Sequence, residues 1–85
     1  MNNQNENIYI GPVYMPDGTP APEVLTRDEA IRFLRLDEAD LKNPAISLQY
    51  YRDKGDLKGI RIGKTIRYTK TDLLNFLRIQ SQKAK

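Results

Sequence analysis

Apolar positions in this chain change their spacing from one stretch to the next, and the changes mark out its elements. Ala30, Ile31, Phe33 and Leu34 recur at helical spacing behind Thr26-Arg27-Asp28-Glu29. That tetrapeptide has the form of a capping box, in which the Thr side chain accepts from the backbone three residues on and the Glu reaches back. A first helix is predicted over about residues 27–35, with Asp28 and Arg32 paired on its outer side and Phe33 in the core. Asn43-Pro44 supplies a second N-cap and first-turn pair, so a helix should run from Pro44 to Lys54 and stop at Gly55, with Leu57 just beyond it. On that helix Ala45, Leu48 and Tyr51 share the inward face, and Ile46, Gln49, Tyr50 and Asp53 share another. Thr69-Lys70-Thr71-Asp72 repeats the capped start. Leu73, Leu74, Phe76, Leu77 and Ile79 then give a third helix over about 70–80.

Between the second and third helices the period drops to two. Ile60-Arg61-Ile62-Gly63-Lys64-Thr65-Ile66-Arg67-Tyr68 alternates apolar and basic residues around a Gly-Lys turn, the pattern of a β-hairpin over 60–68. A three-residue loop, Gly63 to Thr65, would set Ile62 against Ile66 and Ile60 against Tyr68 on one apolar face. The same register places Arg61 opposite Arg67, a like-charge pair costing about 0.2–1 kcal/mol. A polyanion against that face would offset the cost; a solvated edge whose charges deter aggregation is the alternative.

The remaining stretches are less periodic. Residues 1–22 carry four of the five prolines and read as a flexible or extended tail, in which Ile8-Tyr9-Ile10 and Val13-Tyr14-Met15 suit short extended pieces and Pro16-Asp17-Gly18 a turn. Having no Arg or Lys, this tail is unsuited to entering a minor groove. Leu36 to Lys42 is an acidic connector whose Leu36 and Leu41 suit burial; it has neither the Gly turn nor the closing Glu of a calcium loop. Residues 81–85 should fray, leaving one domain over 23–80.

Composition narrows the function classes. With no Cys and no His, the 85-residue chain has no disulfide, thiol nucleophile, imidazole base or usual zinc ligand set. That inventory suits a reducing cytoplasm, and no apolar run approaches the ~20 residues of a membrane span. The net charge of +3 is unevenly spread: residues 1–25 hold three acids and no base, while 26–85 hold all fourteen bases and eight acids. Arg52 to Lys70 alone carries seven bases against two acids, a net +5 and the expected footprint of a phosphate-binding surface.

Catalytic readings fail on inventory. Gly63-Lys64-Thr65 matches the end of a phosphate-binding loop, but that motif needs Gly where Lys58 stands and must open a helix. No carboxylate pair lies in the apolar surroundings that split pKa values for acid–base work, and Ser47 has no base to activate it. Neither an enzyme nor a cofactor is therefore expected.

Helix, connector, helix, basic hairpin, helix is the order of a winged helix-turn-helix: a mainly α fold of three helices with a small antiparallel β-hairpin as the wing. The chain also resembles a known family over about residues 24–78. Ser47-Leu48-Gln49-Tyr50-Tyr51-Arg52-Asp53-Lys54-Gly55-Asp56-Leu57 is similar to the recognition-helix segment of MerR-type regulators, T-L-R-Y-Y-E-x-x-G-L-L. Gly63, Arg67-Tyr68, Asp72-Leu73 and Leu77 match that family's wing and following helix. Leu25-Thr26-Arg27-Asp28-Glu29-Ala30 and Arg61-Ile62-Gly63-Lys64 resemble the opening and the wing of small excisionase-type proteins.

The resemblance implies a DNA-binding protein of bacterial or phage type, associated with the nucleoid and acting in recombination control or transcriptional regulation. Double-stranded DNA is the implied partner, with a second copy of the chain or an integrase beside it, and no effector domain is present to sense a small molecule. Helix 44–54 would enter the major groove and hairpin 60–68 would lie on the backbone. The residues assigned to DNA are Ile46, Gln49, Tyr50, Arg52 and Lys54 on the helix, Lys58 after it, and Arg61, Lys64, Thr65 and Arg67 on the hairpin. Gln49 stands where the family has Arg, and Gln can read adenine bidentately. The acidic connector, longer than the tight turn of excisionase-like proteins, bears on how the second helix docks. A different reading of the same surface is a protein-interaction module in which Ile46 and Tyr50 meet a protein partner.

Overall fold

A computed structural model describes residues 12–39 and 43–84 of the chain. Ile8-Tyr9-Ile10, Leu41 and Lys85 lie outside the described residues. The elements are β1 (Val24–Leu25), α1 (Arg27–Phe33), a 3-10 turn (Leu36–Glu38), α2 (Pro44–Lys54), β2 (Ile60–Ile62), β3 (Thr65–Thr69) and α3 (Lys70–Lys83). Three helices therefore pack with a three-stranded antiparallel sheet of order β1-β3-β2.

Local chemistry sets the helix ends. Both halves of the capping box form at α1: the Glu29 amide donates to Thr26 Oγ1 at 3.1 Å and the Thr26 amide to Glu29 Oε1 at 2.9 Å. The helix stops at Phe33, two residues before the predicted end, because Arg35 turns left-handed (φ 58°) and sends half-buried Leu36 back onto the core. Asn43 Oδ1 caps α2 by accepting from the Ala45 amide at 3.0 Å. At its far end Gly55 (φ 87°) donates to the Arg52 carbonyl and the Asp56 amide to that of Tyr51, each at 3.0 Å, a Schellman motif that leads Leu57 into the core. Thr69 caps α3 through the Asp72 amide at 3.0 Å.

The core is built from Leu25, Ala30, Leu48, Leu57, Tyr68, Leu73 and Phe76, with Tyr51 edge-on to Phe76 at 4.9 Å between ring centroids. Two further core members, Met15 and Ala21, come from the segment expected to be a tail. Here the chain doubles back: Tyr14 bridges Pro20, the Ala21 amide donates to the Val13 carbonyl at 2.8 Å, and Asp17 Oδ1 accepts from both the amide and hydroxyl of Thr19. Burial of Met15 and Ala21 explains why residues 13–21 are ordered on the domain despite their prolines. The other end also differs from expectation. α3 continues to Lys83 rather than fraying at 80, because Gln80 and Lys83 both donate to Asp56 Oδ2, at 2.9 and 2.6 Å.

The sheet departs from the predicted hairpin in two ways. First, Val24 and Leu25 add a strand beside β3, pairing with Thr69 and Tyr68. Second, the loop has two residues, so Ile62 pairs with Thr65, Arg61 with Ile66 and Ile60 with Arg67. Arg61 and Arg67 therefore lie on opposite faces, and the expected apolar pairing of Ile60 with Tyr68 does not occur. The reason is which strand the core constrains. β3 is fixed by the burial of Tyr68 and by its pairing with β1, while β2 is an edge strand whose register follows the turn. Gly63 takes φ 64° at the first turn position, and the Thr65 hydroxyl donates to the Ile62 carbonyl at 3.0 Å, closing the tight loop. Ile60 and Ile62 are left exposed as a result.

Candidate nucleic-acid interface

Packing brings the outer side of α2, the hairpin and the start of α1 around one open cleft of about 520 Å³. From α2, Ile46, Gln49 and Arg52 line it; from the hairpin, Lys64, Thr65 and Arg67 do so. Six of the ten residues assigned to DNA thus share one concave surface. Leu25 pairs with Tyr68, which carries the start of α1 alongside β3 and adds Thr26, Arg27 and Asp28 to the wall. Sequence reasoning missed these three, because only the short β1 pairing brings them there.

The cleft carries four cations, Arg27, Arg52, Lys64 and Arg67, against the single carboxylate of Asp28. Arg27 and Asp28 form a 3.4 Å ion pair whose side chains are well exposed, so both remain open to a ligand. Lys64 stands at the hairpin tip, where a strand and not a helix follows, in keeping with its exclusion as a nucleotide-loop lysine.

The other four predicted residues lie outside the cleft lining. Tyr50 and Lys54 are exposed along α2, with Lys54 Nζ 5.2 Å from the centre of the Tyr50 ring. Tyr50 also meets Tyr51 edge-on at 5.2 Å, and Tyr51 in turn meets Phe76, so an exposed ring is propped on the core. Ile46 and Tyr50 are 62% and 54% exposed. Lys58 and Arg61 are exposed, and Arg61 shares its face with Ile66 rather than with Arg67.

Arg52 is the predicted contact that is tied to the core. It is half-buried, and its guanidinium donates to the Tyr68 hydroxyl. Among the described residues there is no group of three or more metal-ligating side chains, and no helix is long and apolar enough to cross a membrane.

No protein-family model matches the chain, and no curated protein or solved structure matches it significantly. The functional reading therefore rests on the cleft itself: an open, cationic surface walled by α2, the hairpin and the start of α1.

Proposed function

We propose that the chain is a winged-helix protein that binds double-stranded DNA, with α2 in the major groove and the β2–β3 hairpin as a wing on the phosphate backbone. The carrying observation is the cleft in which Gln49 and Arg52 of α2 stand with Lys64, Thr65 and Arg67 of the hairpin under a fourfold cationic lining. An 11-residue helix is about 16 Å long, and a major groove about 12 Å wide admits it. Cations on the hairpin would neutralise phosphates, while Gln49, and Tyr50 beside it, would meet base edges. The work is binding without bond-making, in recombination control or transcriptional regulation, as the resemblance to excisionases and MerR-type regulators implies.

A salt titration of duplex binding tests this. About five phosphate contacts give a slope of log K against log salt of about −4 to −5. A flat slope, or undiminished binding by the Arg61→Ala, Arg67→Ala double variant, would remove the proposal. The exposure of Ile46 and Tyr50 favours one competing reading, a protein-docking module on the same helix. Its signature is association that ignores salt and is weakened by Tyr50→Ala but not by hairpin substitutions.

A further inference from the structure

We infer that Arg52 is a positioning residue that locks the hairpin to α2 at a fixed angle and so sets how the two meet DNA. Its functional meaning rests on the DNA-binding reading above; its geometry does not. The Arg52 guanidinium donates to the hydroxyl of Tyr68, a residue that is 0% exposed on the central strand β3. Among the described residues this is the hydrogen bond that joins α2 to the hairpin. The aliphatic stem of Arg52 runs close beside Gly59. A Cβ added at Gly59 would stand 2.6 Å from Ile66 Cγ2, 3.1 Å from Arg52 Cδ and 3.4 Å from Tyr68 Cε1. Three segments therefore close on one point: α2, the approach to β2, and β3. Glycine at position 59 is what lets them close.

The guanidinium suits this role. It presents five N–H donors in a planar fork, so committing one to Tyr68 restrains the orientation of the others on a residue that lines the cleft. Loss of Arg52 would leave a fully buried hydroxyl without this donor and the hairpin without its tie. The MerR-type segment has Glu at this place, so the tie is a property of this chain's own residues.

Tyr68→Phe provides the test, because it removes the acceptor without changing any charge. Duplex affinity and its salt slope are measured for the wild type, Tyr68→Phe, Arg52→Ala and the double variant, at a temperature where all are folded by circular dichroism. Amide exchange of residues 60–68 is followed in the free proteins. A displaced hairpin loses phosphate contacts, so Tyr68→Phe should weaken binding about fivefold or more, the size of one lost hydrogen bond, and flatten the slope by about one phosphate contact. The double variant should be no weaker than Arg52→Ala. Hairpin amides should exchange faster in both single variants. Wild-type affinity and slope for Tyr68→Phe, with Arg52→Ala losing about 0.9 of slope, would make Arg52 a plain phosphate contact and overturn the inference. Unchanged hairpin exchange in Tyr68→Phe overturns it whether or not DNA binds. A wild type that fails to bind DNA, with hairpin exchange accelerated in the variants, sinks the DNA reading and leaves the tie standing.

Discussion

Asp56 and Lys83, twenty-seven residues apart, meet at 2.6 Å, and this contact fastens the end of α3 to the turn that leaves α2. The Asp56 side chain is only 12% exposed, and the hydrogen bonds from Lys83 and then Gln80 hold its carboxyl below the usual carboxylate range. A carboxylate depressed by folding contributes its stability above the unfolded value, about 3.9, and loses it as pH falls through the folded value. Protection of the residue 81–84 amides, taken relative to the intrinsic exchange rate at each pH, should therefore hold from neutral pH down to about 5 and fall below about pH 4. Asp56→Asn should show low protection at every pH. A pH-independent wild-type profile would show that the contact does not hold the helix end.

Glycines 59 and 63 should behave differently when each is replaced by alanine. Gly63 has a left-handed backbone (φ 64°) and open space around it, so the substitution costs only backbone strain, about 1 kcal/mol, and lowers Tm by about 5 °C. A Cβ added at Gly59 would stand 2.6 Å from Ile66 Cγ2 and 3.1 Å from Arg52 Cδ, so the alanine variant must part the approach to β2 from both β3 and α2. Gly59→Ala is expected to lose more duplex affinity than Gly63→Ala even where both are fully folded. Equal affinities would mean that the hairpin accommodates the methyl without moving.

Met15 is 8% exposed and belongs to the core, so the stretch before β1 should contribute to stability rather than trail from it. Met15→Ala is expected to cost about 2 kcal/mol, at the lower end for a buried methionine, and to lower Tm by about 10 °C. Removal of residues 1–22 should cost more. A truncated chain that melts with the wild type would return this segment to the status of a tail.

The features legible in the sequence are those that neighbouring residues decide. The Thr26–Glu29 box, the Asn43-Pro44 start, the Gly55 stop and the Thr69–Asp72 cap each close within a few residues, and each formed as the spacing predicted. The hairpin was legible as a hairpin but not in register, because its pairing depends on Tyr68 being held by Leu25 from the other side. A two-residue strand such as Val24–Leu25 carries no periodicity to detect. The Met15 burial, the Asp56–Lys83 contact and the Arg52–Tyr68 tie are long-range, and composition argued against the first. For the cleft, the basic excess of Arg52 to Lys70 pointed to the right surface, and the α1 wall with Arg27 and Asp28 escaped notice for the same long-range reason.

Asp28 offers the sharpest test of which surface faces DNA. It is the single carboxylate in a lining that otherwise holds four cations, and its ion pair with Arg27 is exposed. A phosphate near the cleft is repelled by it. At a separation of about 10 Å in water this repulsion is about 0.4 kcal/mol, or roughly twofold in affinity. Asp28→Asn should therefore bind duplex DNA about two- to threefold more tightly at low salt, and the gain should fade as ionic strength shrinks the screening length. The capping box is made by Thr26 and Glu29 without the Asp28 side chain, so the stability cost should be only that of one first-turn acid, about 0.5 kcal/mol. Asp53 provides the control: it is exposed on α2 and absent from the cleft lining, so Asp53→Asn should give a smaller gain. The reverse order, with Asp53→Asn gaining more than Asp28→Asn, would turn the protein over and put DNA on a different face of α2.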